Sequence, residues 1–213
     1  VKQQGLIAFE NGGYFIFREN GSMTFIRCGG FKGGCPPDQL HIDFWKDGEN
    51  LLMDGGTFKY NTEDRLVKYF AGTESHNTVM LDSYDQMLKG PRFMWFYPLA
   101  VESAIVKEDE ESYMFEGKIW AFKNLAPDIH ITRNIRKFKG KDSWEIKDSI
   151  CGKPADCVMR QLWHIKPDAM KLGSDSVRKT GVGQYSRYYG VVAQNQQIEF
   201  VTKENSITTN ISI

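Results

Sequence analysis

The chain has 213 residues, 41% hydrophobic and 25% charged, enough to bury a full core, with Lys plus Arg and Asp plus Glu balanced at 27 each. That balance excludes a global basic field for nucleic acid or an anionic membrane, so any grip on an acidic polymer has to come from a local patch. The apolar runs are strand-sized, such as Leu51, Leu52 and Met53, far short of the ~20 residues of a membrane helix.

The first residues, Val1 to Gly5, lack an initiator Met and the charged start and apolar stretch of a secretory signal, which reads as a piece of a longer polypeptide. From there the periodicity is that of strands. Tyr14 to Arg18, Ser22 to Arg27, Leu40 to Trp45, Asn77 to Leu81, Tyr113 to Phe122, Ile129 to Ile135 and Ile198 to Thr202 are rich in aromatic and β-branched residues, several alternating with period two. Asn11-Gly12-Gly13, Glu19-Asn20-Gly21, Lys46-Asp47-Gly48 and Lys139-Gly140-Lys141 sit between such runs and predict hairpins, because Gly and Asn tolerate positive φ. Asn61 to Phe70 is the single helical candidate. About fourteen short strands with regular turns predict an all-β chain, a large antiparallel two-sheet sandwich forming one domain over residues 1–213. A break at Cys151 to Asp156 is a candidate boundary between sheet layers.

Four cysteines, Cys28, Cys35, Cys151 and Cys157, lack the spacing of a zinc knuckle or redox pair. A Cys28 to Cys35 bridge across the intervening glycines is one reading and free buried thiols the other. His130 and His164 sit in apolar strands and read as core histidines.

The unusual chemistry lies between Cys35 and Trp95. Asp38-Gln39-Leu40-His41-Ile42-Asp43 opens a strand, Asp54 ends another before Gly55-Gly56, and His76 follows a loop. Asp54 and His76 are oxygen and nitrogen donors at strand ends, where a metal site or a charged-substrate contact is built. The alternative is that Asp54 caps the Gly-Gly turn and His76 packs within the sandwich. Asp38 and Asp43, read as facing opposite sides of one strand, do not pair as the acid and base of a hydrolase.

These segments resemble the C-terminal β-sandwich of bacterial heparinase II/III-like polysaccharide lyases. That family's pattern is an HxHxD-type segment, a strand ending Asp-x-Gly-Thr-Tyr and a His-Asn-Thr-Val strand; this chain carries Asp54-Gly55-Gly56-Thr57-Phe58-Lys59-Tyr60 and His76-Asn77-Thr78-Val79. Gly13-Tyr14, Asp85-Gln86-Met87, Leu162-Trp163-His164 and Tyr188-Tyr189-Gly190 are similar to its flanking strands. The resemblance implies an enzyme completed by an N-terminal α/α toroid, exported to the periplasm or secreted, that cleaves a uronic-acid-containing polysaccharide by β-elimination with no organic cofactor. It also implies a structural zinc held by the second His of the HxH segment, the Asp and the later His. Asp54 and His76 match as metal ligands and are expected within ~3–5 Å of each other. Aligned from Asp38, the first ligand position falls on Pro36, which cannot ligate; a water, His41 (which would need a bulge, being on the other face of the strand) or Cys35, chemically the best substitute, would then fill the shell. Within this reading His41, Tyr60 and Tyr69 are the catalytic candidates, Arg65 and Lys68 the carboxylate or sulfate contacts, and Trp95, with Phe96 and Tyr97, a sugar-stacking platform. A non-catalytic carbohydrate-binding or exopolysaccharide-pathway accessory sandwich is the alternative.

Overall fold

A computed structural model describes residues 3–30 and 36–213. Seventeen strands run through the described residues: β1 (Gly5–Phe9), β2 (Tyr14–Glu19), β3 (Ser22–Arg27), β4 (Ile42–Lys46), β5 (Glu49–Leu52), β6 (Val79–Leu81), β7 (Leu88–Lys89), β8 (Trp95–Phe96), β9 (Ala100–Glu108), β10 (Ser112–Trp120), β11 (His130–Phe138), β12 (Ser143–Cys151), β13 (Met159–Ile165), β14 (Lys171–Gly173), β15 (Val177–Tyr188), β16 (Val191–Thr202) and β17 (Ser206–Ser212). One helix, α1 (Asp64–Ala71), lies between β5 and β6.

The strands form a nine-stranded sheet in the order β1-β2-β3-β4-β5-β13-β16-β15, with β6 also on β13, and a six-stranded sheet in the order β14-β17-β12-β11-β10-β9. The strand pairs are antiparallel, and each of the four predicted turns joins neighbouring strands. At the first turn Gly13 is obligatory: its φ is +70° and a Cβ there would lie 2.1 Å from the Gly29 Cα. The predicted helix starts three residues late and ends one residue late. The suggested layer boundary at Cys151 to Asp156 is not one, because β13, β15 and β16 rejoin the first sheet while β14 and β17 extend the second.

Alternation sends one face of each sheet into a shared core. Rings from the two layers meet there: Phe15 with Phe115 at 5.2 Å, Phe17 with Tyr113 at 5.4 Å, and Phe44 edge-on to Trp144 at 4.2 Å. Burying each large side chain contributes roughly 1.5–3 kcal/mol, which makes this contact the main source of stability. The same alternation carries two charged residues inward. Arg133, in line with Ile131 and Ile135 on β11, and Asp148, between Ile146 and Ile150 on β12, are both fully buried.

Cys28 is a buried free thiol, and Cys151 and Cys157 are also free. The expectations for Cys35, as a bridge partner or a substitute ligand, lie outside the described residues.

Candidate metal centre on the large sheet

Three strand ends converge. His41 directly precedes β4, Asp54 follows β5 by two residues, and His76 closes a 3-10 turn (Thr73–Ser75) ahead of β6. His76 Nδ1 lies 3.0 Å from Asp54 Oδ2, within the expected separation, and His41 Nε2 lies 3.4 Å from the same oxygen. One ligand atom from each of the three residues falls within 4.8 Å of the others. The other oxygen, Oδ1, accepts the Gly56 N–H at 2.6 Å, so the capping role and the cluster role of Asp54 coexist.

The place of His41 corrects the alignment that put Pro36 at the ligand position. Strict alternation back from β4 fails because Leu40 sits at φ +62° and the strand starts only at Ile42. This left-handed residue, costly for a branched side chain, turns the His41 ring toward Asp54. Taken as the second His of an HxHxD-type segment, His41 puts Asp43 at its Asp and Gln39 at its first His. Phe58 stands where the Asp-x-Gly-Thr-Tyr strand has its Tyr. Neither an amide nor a phenyl ring transfers protons. Gln39 is buried with Oε1 accepting the Gly29 N–H at 2.7 Å, and Phe58 packs on Phe70 at 5.4 Å.

Asn77 staples the cluster. Its Nδ2 donates to the Ile42 and Met53 carbonyls, both at 2.9 Å, its Oδ1 accepts the His164 N–H at 2.7 Å, and its own N–H donates to His41 Nδ1 at 3.0 Å. From the core side Arg133 donates through Nη1 to the Leu40 and Asn77 carbonyls, both at 2.6 Å, while Nε and Nη2 form a two-point pair with Asp148 at 2.7 and 2.6 Å. The second sheet therefore holds the carbonyl just before His41 and the one just after His76.

Burial alone would raise the Asp54 carboxyl, but the His76 charge and hydrogen bonds outweigh it and hold the group well below the usual range. Burial would lower His76, yet Asp54 raises it overall. Burial pushes His41 down to about 3, so its ring is neutral at ordinary pH. With Nδ1 accepting from Asn77, the proton of that neutral ring is on Nε2, facing Asp54. Asp38 and Asp43 are raised by burial to about 6 and about 7. Nothing in the sequence marks these two as weak acids, and the nearby Asp54 charge adds to the rise in both.

The donor set fits a small divalent cation. Tetrahedral zinc with ligands at ~2.0–2.1 Å separates its donor atoms by about 3.3 Å, close to the 3.0 and 3.4 Å found. His41 Nε2, the atom 3.4 Å from Asp54, is buried with no hydrogen-bond partner among the described residues. A cation at His41 Nε2 needs the ring's other tautomer, with the proton on Nδ1 where the Asn77 N–H now points, and it needs His76 neutral, so binding releases the His76 proton and strengthens as pH rises.

His41 is only 3% exposed and lies with Asp54 and His76 among the candidate ligands. The Tyr69 hydroxyl is tied to the β15 backbone, accepting the Gln184 N–H at 3.0 Å and donating to its carbonyl at 3.2 Å, and burial raises it to about 12. It is a tether for α1. Arg65 and Lys68 are exposed on α1, Trp95 is half-buried with Lys89 over its ring at 5.2 Å, and Tyr60 is exposed in an aromatic group beyond the cluster. Asn77, Arg133 and Gln39 were missed. Asn77 lies within the quoted His-Asn-Thr-Val segment, and inward register on β11 singles out Arg133.

His164, behind the cluster, is buried, with Nε2 at 2.9 Å from the Glu74 carbonyl, and burial pushes it down to about 4 from 6.5. As pH falls through 6.5 the unfolded chain takes up the proton first, so this stability is present above 6.5 and is lost progressively toward 4. Wild type should lose about 2 kcal/mol more between pH 7 and pH 5 than His164→Gln in urea titrations. Parallel losses in the two proteins would contradict the assignment.

Residues 2–210 match the family model described as Heparinase II/III-like, C-terminal. Among solved structures, the Heparinase III-BT4657 gene product superposes with a TM-score of 0.80 at 15% identity over 100% of this chain and 36% of that one. The heparan sulfate lyase HepC from Pedobacter heparinus gives 0.79 at 14% identity over 99% and 36%, and a further heparinase III gives 0.58 at 12% over 99% and 37%. The chain thus spans about a third of the length of these proteins. No curated protein sequence matches it.

Proposed function

The chain belongs to the heparinase II/III-like family, and from that premise we propose that it is the sandwich wall of a lyase that cleaves uronic-acid-containing polysaccharide by β-elimination. In such a reaction a base removes the C5 proton, a cation or hydrogen-bond donor stabilises the carboxylate-conjugated carbanion, and an acid protonates the departing O4. The observation that carries the reading is the family match across nearly the whole chain.

We assign neither the base nor the acid to the triad. His41, Asp54 and His76 face one another, and Gln39 and Phe58 have no proton to exchange. We assign the triad to a structural zinc that fixes the Gly55-Gly56 turn, and the proton transfers to an N-terminal helical domain, an α/α toroid, packed against this one. When bound, the zinc would supply cross-linking of three strand ends. Arg65 and Lys68, exposed on α1, are the candidate contacts for substrate carboxylate or sulfate.

The full-length protein should generate the ultraviolet absorbance of an unsaturated uronate from one or more of heparan sulfate, alginate and other uronate polymers. Residues 1–213 alone should generate none, because the reacting groups must be held together in one site. Turnover by this chain alone would overturn the division of labour. Absence of turnover by the full-length protein, with polymer still bound, would favour a carbohydrate-binding accessory sandwich.

A further inference from the structure

Three loops meet next to the triad and expose rings to solvent. Tyr60 contacts Phe93 edge-on at 5.5 Å and Tyr189 at 5.9 Å, although the three side chains come from separate parts of the chain and are 59%, 65% and 66% exposed. Large rings seldom cluster in open water without a partner, because the exposed apolar area costs free energy that burial elsewhere would recover. The loops are held in uncommon backbone conformations, with Phe58 at φ +57° and Arg92 at φ +54°, a kind of local strain that gathers at ligand-binding sites.

The patch is fastened to the triad. Asp54 fixes the Gly56 N–H, the Ser186 N–H donates to the Gly55 carbonyl at 2.8 Å, and the Gly190 N–H donates to the Phe58 carbonyl at 2.9 Å. A Cβ on Gly56, whose φ is +72°, would lie 2.3 Å from the Ser186 carbonyl oxygen, so this close approach requires glycine. The rings are therefore presented by a braced turn.

Cations border the rings. Lys59, Arg92 and Arg187 are exposed beside Tyr60, Phe93 and Tyr188, and none takes part in the ion pairs formed among the described residues. Aromatic faces offer stacking for the C–H face of a pyranose, and a guanidinium matches a carboxylate or sulfate in a two-point hydrogen bond. A purely apolar protein partner would leave these cations without counter-charges. We propose that Tyr60, Phe93 and Tyr189, with Lys59, Arg92 and Arg187, form a subsite that stacks and neutralises the anionic sugar rings of the polymer. This rests on the reading of the chain as acting on an acidic polysaccharide, and it recasts Tyr60 as a stacking residue.

Calorimetric titration of the full-length protein with a heparin tetrasaccharide, a uronate tetrasaccharide without sulfate, and uncharged dextran tests it. Because the rings are exposed on this domain, Tyr60→Ala, Phe93→Ala and Tyr189→Ala should keep its β-sheet circular dichroism, and a lowered melting temperature of the full-length protein with unaltered affinity would overturn the proposal by placing the patch against the N-terminal domain. Each should weaken at least one anionic tetrasaccharide by about 3- to 10-fold. Arg92→Gln with Arg187→Gln should weaken the anionic probes and leave dextran unaffected. Unchanged affinity in the triple aromatic variant would overturn the proposal, as would variants that alter only the association state of the protein. Polymer binding without an unsaturated product would count against the lyase reading and leave the subsite standing. Cleavage with unaltered affinity and KM in the triple variant would do the reverse.

Discussion

Arg133→Ala is expected to destabilise the protein by about 3–5 kcal/mol, because it strands the Asp148 carboxylate in the core without its counter-charge. Both side chains are fully buried, and Asp148 would keep only the Gln161 amide, at 2.7 Å, among its side-chain donors. The Leu40 and Asn77 carbonyls lose their donor as well, and an unsatisfied buried polar group costs about 1–3 kcal/mol. Against a total stability of about 5–15 kcal/mol, the variant should unfold at much lower urea. The loss should be smaller in the double variant Arg133→Met with Asp148→Leu, which removes both charges and leaves an apolar filling. A single variant within about 1 kcal/mol of wild type would show that the pair does not brace the site.

Fold class was legible because alternation and turn chemistry are local: a Gly with positive φ between two period-two runs has few alternatives to a hairpin. The pairing of β13 with β5, β6 and β16, which builds the large sheet out of sequence order, has no local signal. At the site, Asp54 and His76 were readable from their motif, whereas His41 was displaced by an argument from alternation. That argument assumed a strand through Leu40, and a single left-handed residue is enough to end it. Arg133 and Asp148 could have been paired from their inward register, since two opposite charges on neighbouring core faces have to compensate each other. The aromatic patch was only half visible. Tyr60 and the aromatic run beginning at Trp95 stood out in sequence, but the meeting of Tyr60 with Phe93 and Tyr189 depends on the contact between the Gly55-Gly56 turn and the end of β15.

We propose that His41, Asp54 and His76 form a zinc-held brace, with His41 as the third protein ligand. Three donors on separate strand ends give the cation a cross-linking role, and metal binding to the folded state alone adds directly to stability. Removing one donor leaves two, too few for a tight structural site. The direct measurement is the zinc content of protein purified without chelator, for wild type, Gln39→Ala, His41→Ala, Asp54→Ala and His76→Ala, each checked for its β-sheet circular dichroism. About one zinc per chain is expected in wild type and Gln39→Ala, with most of it lost in the other three. Wild type free of zinc, or a folded His41→Ala that keeps it, would contradict the account.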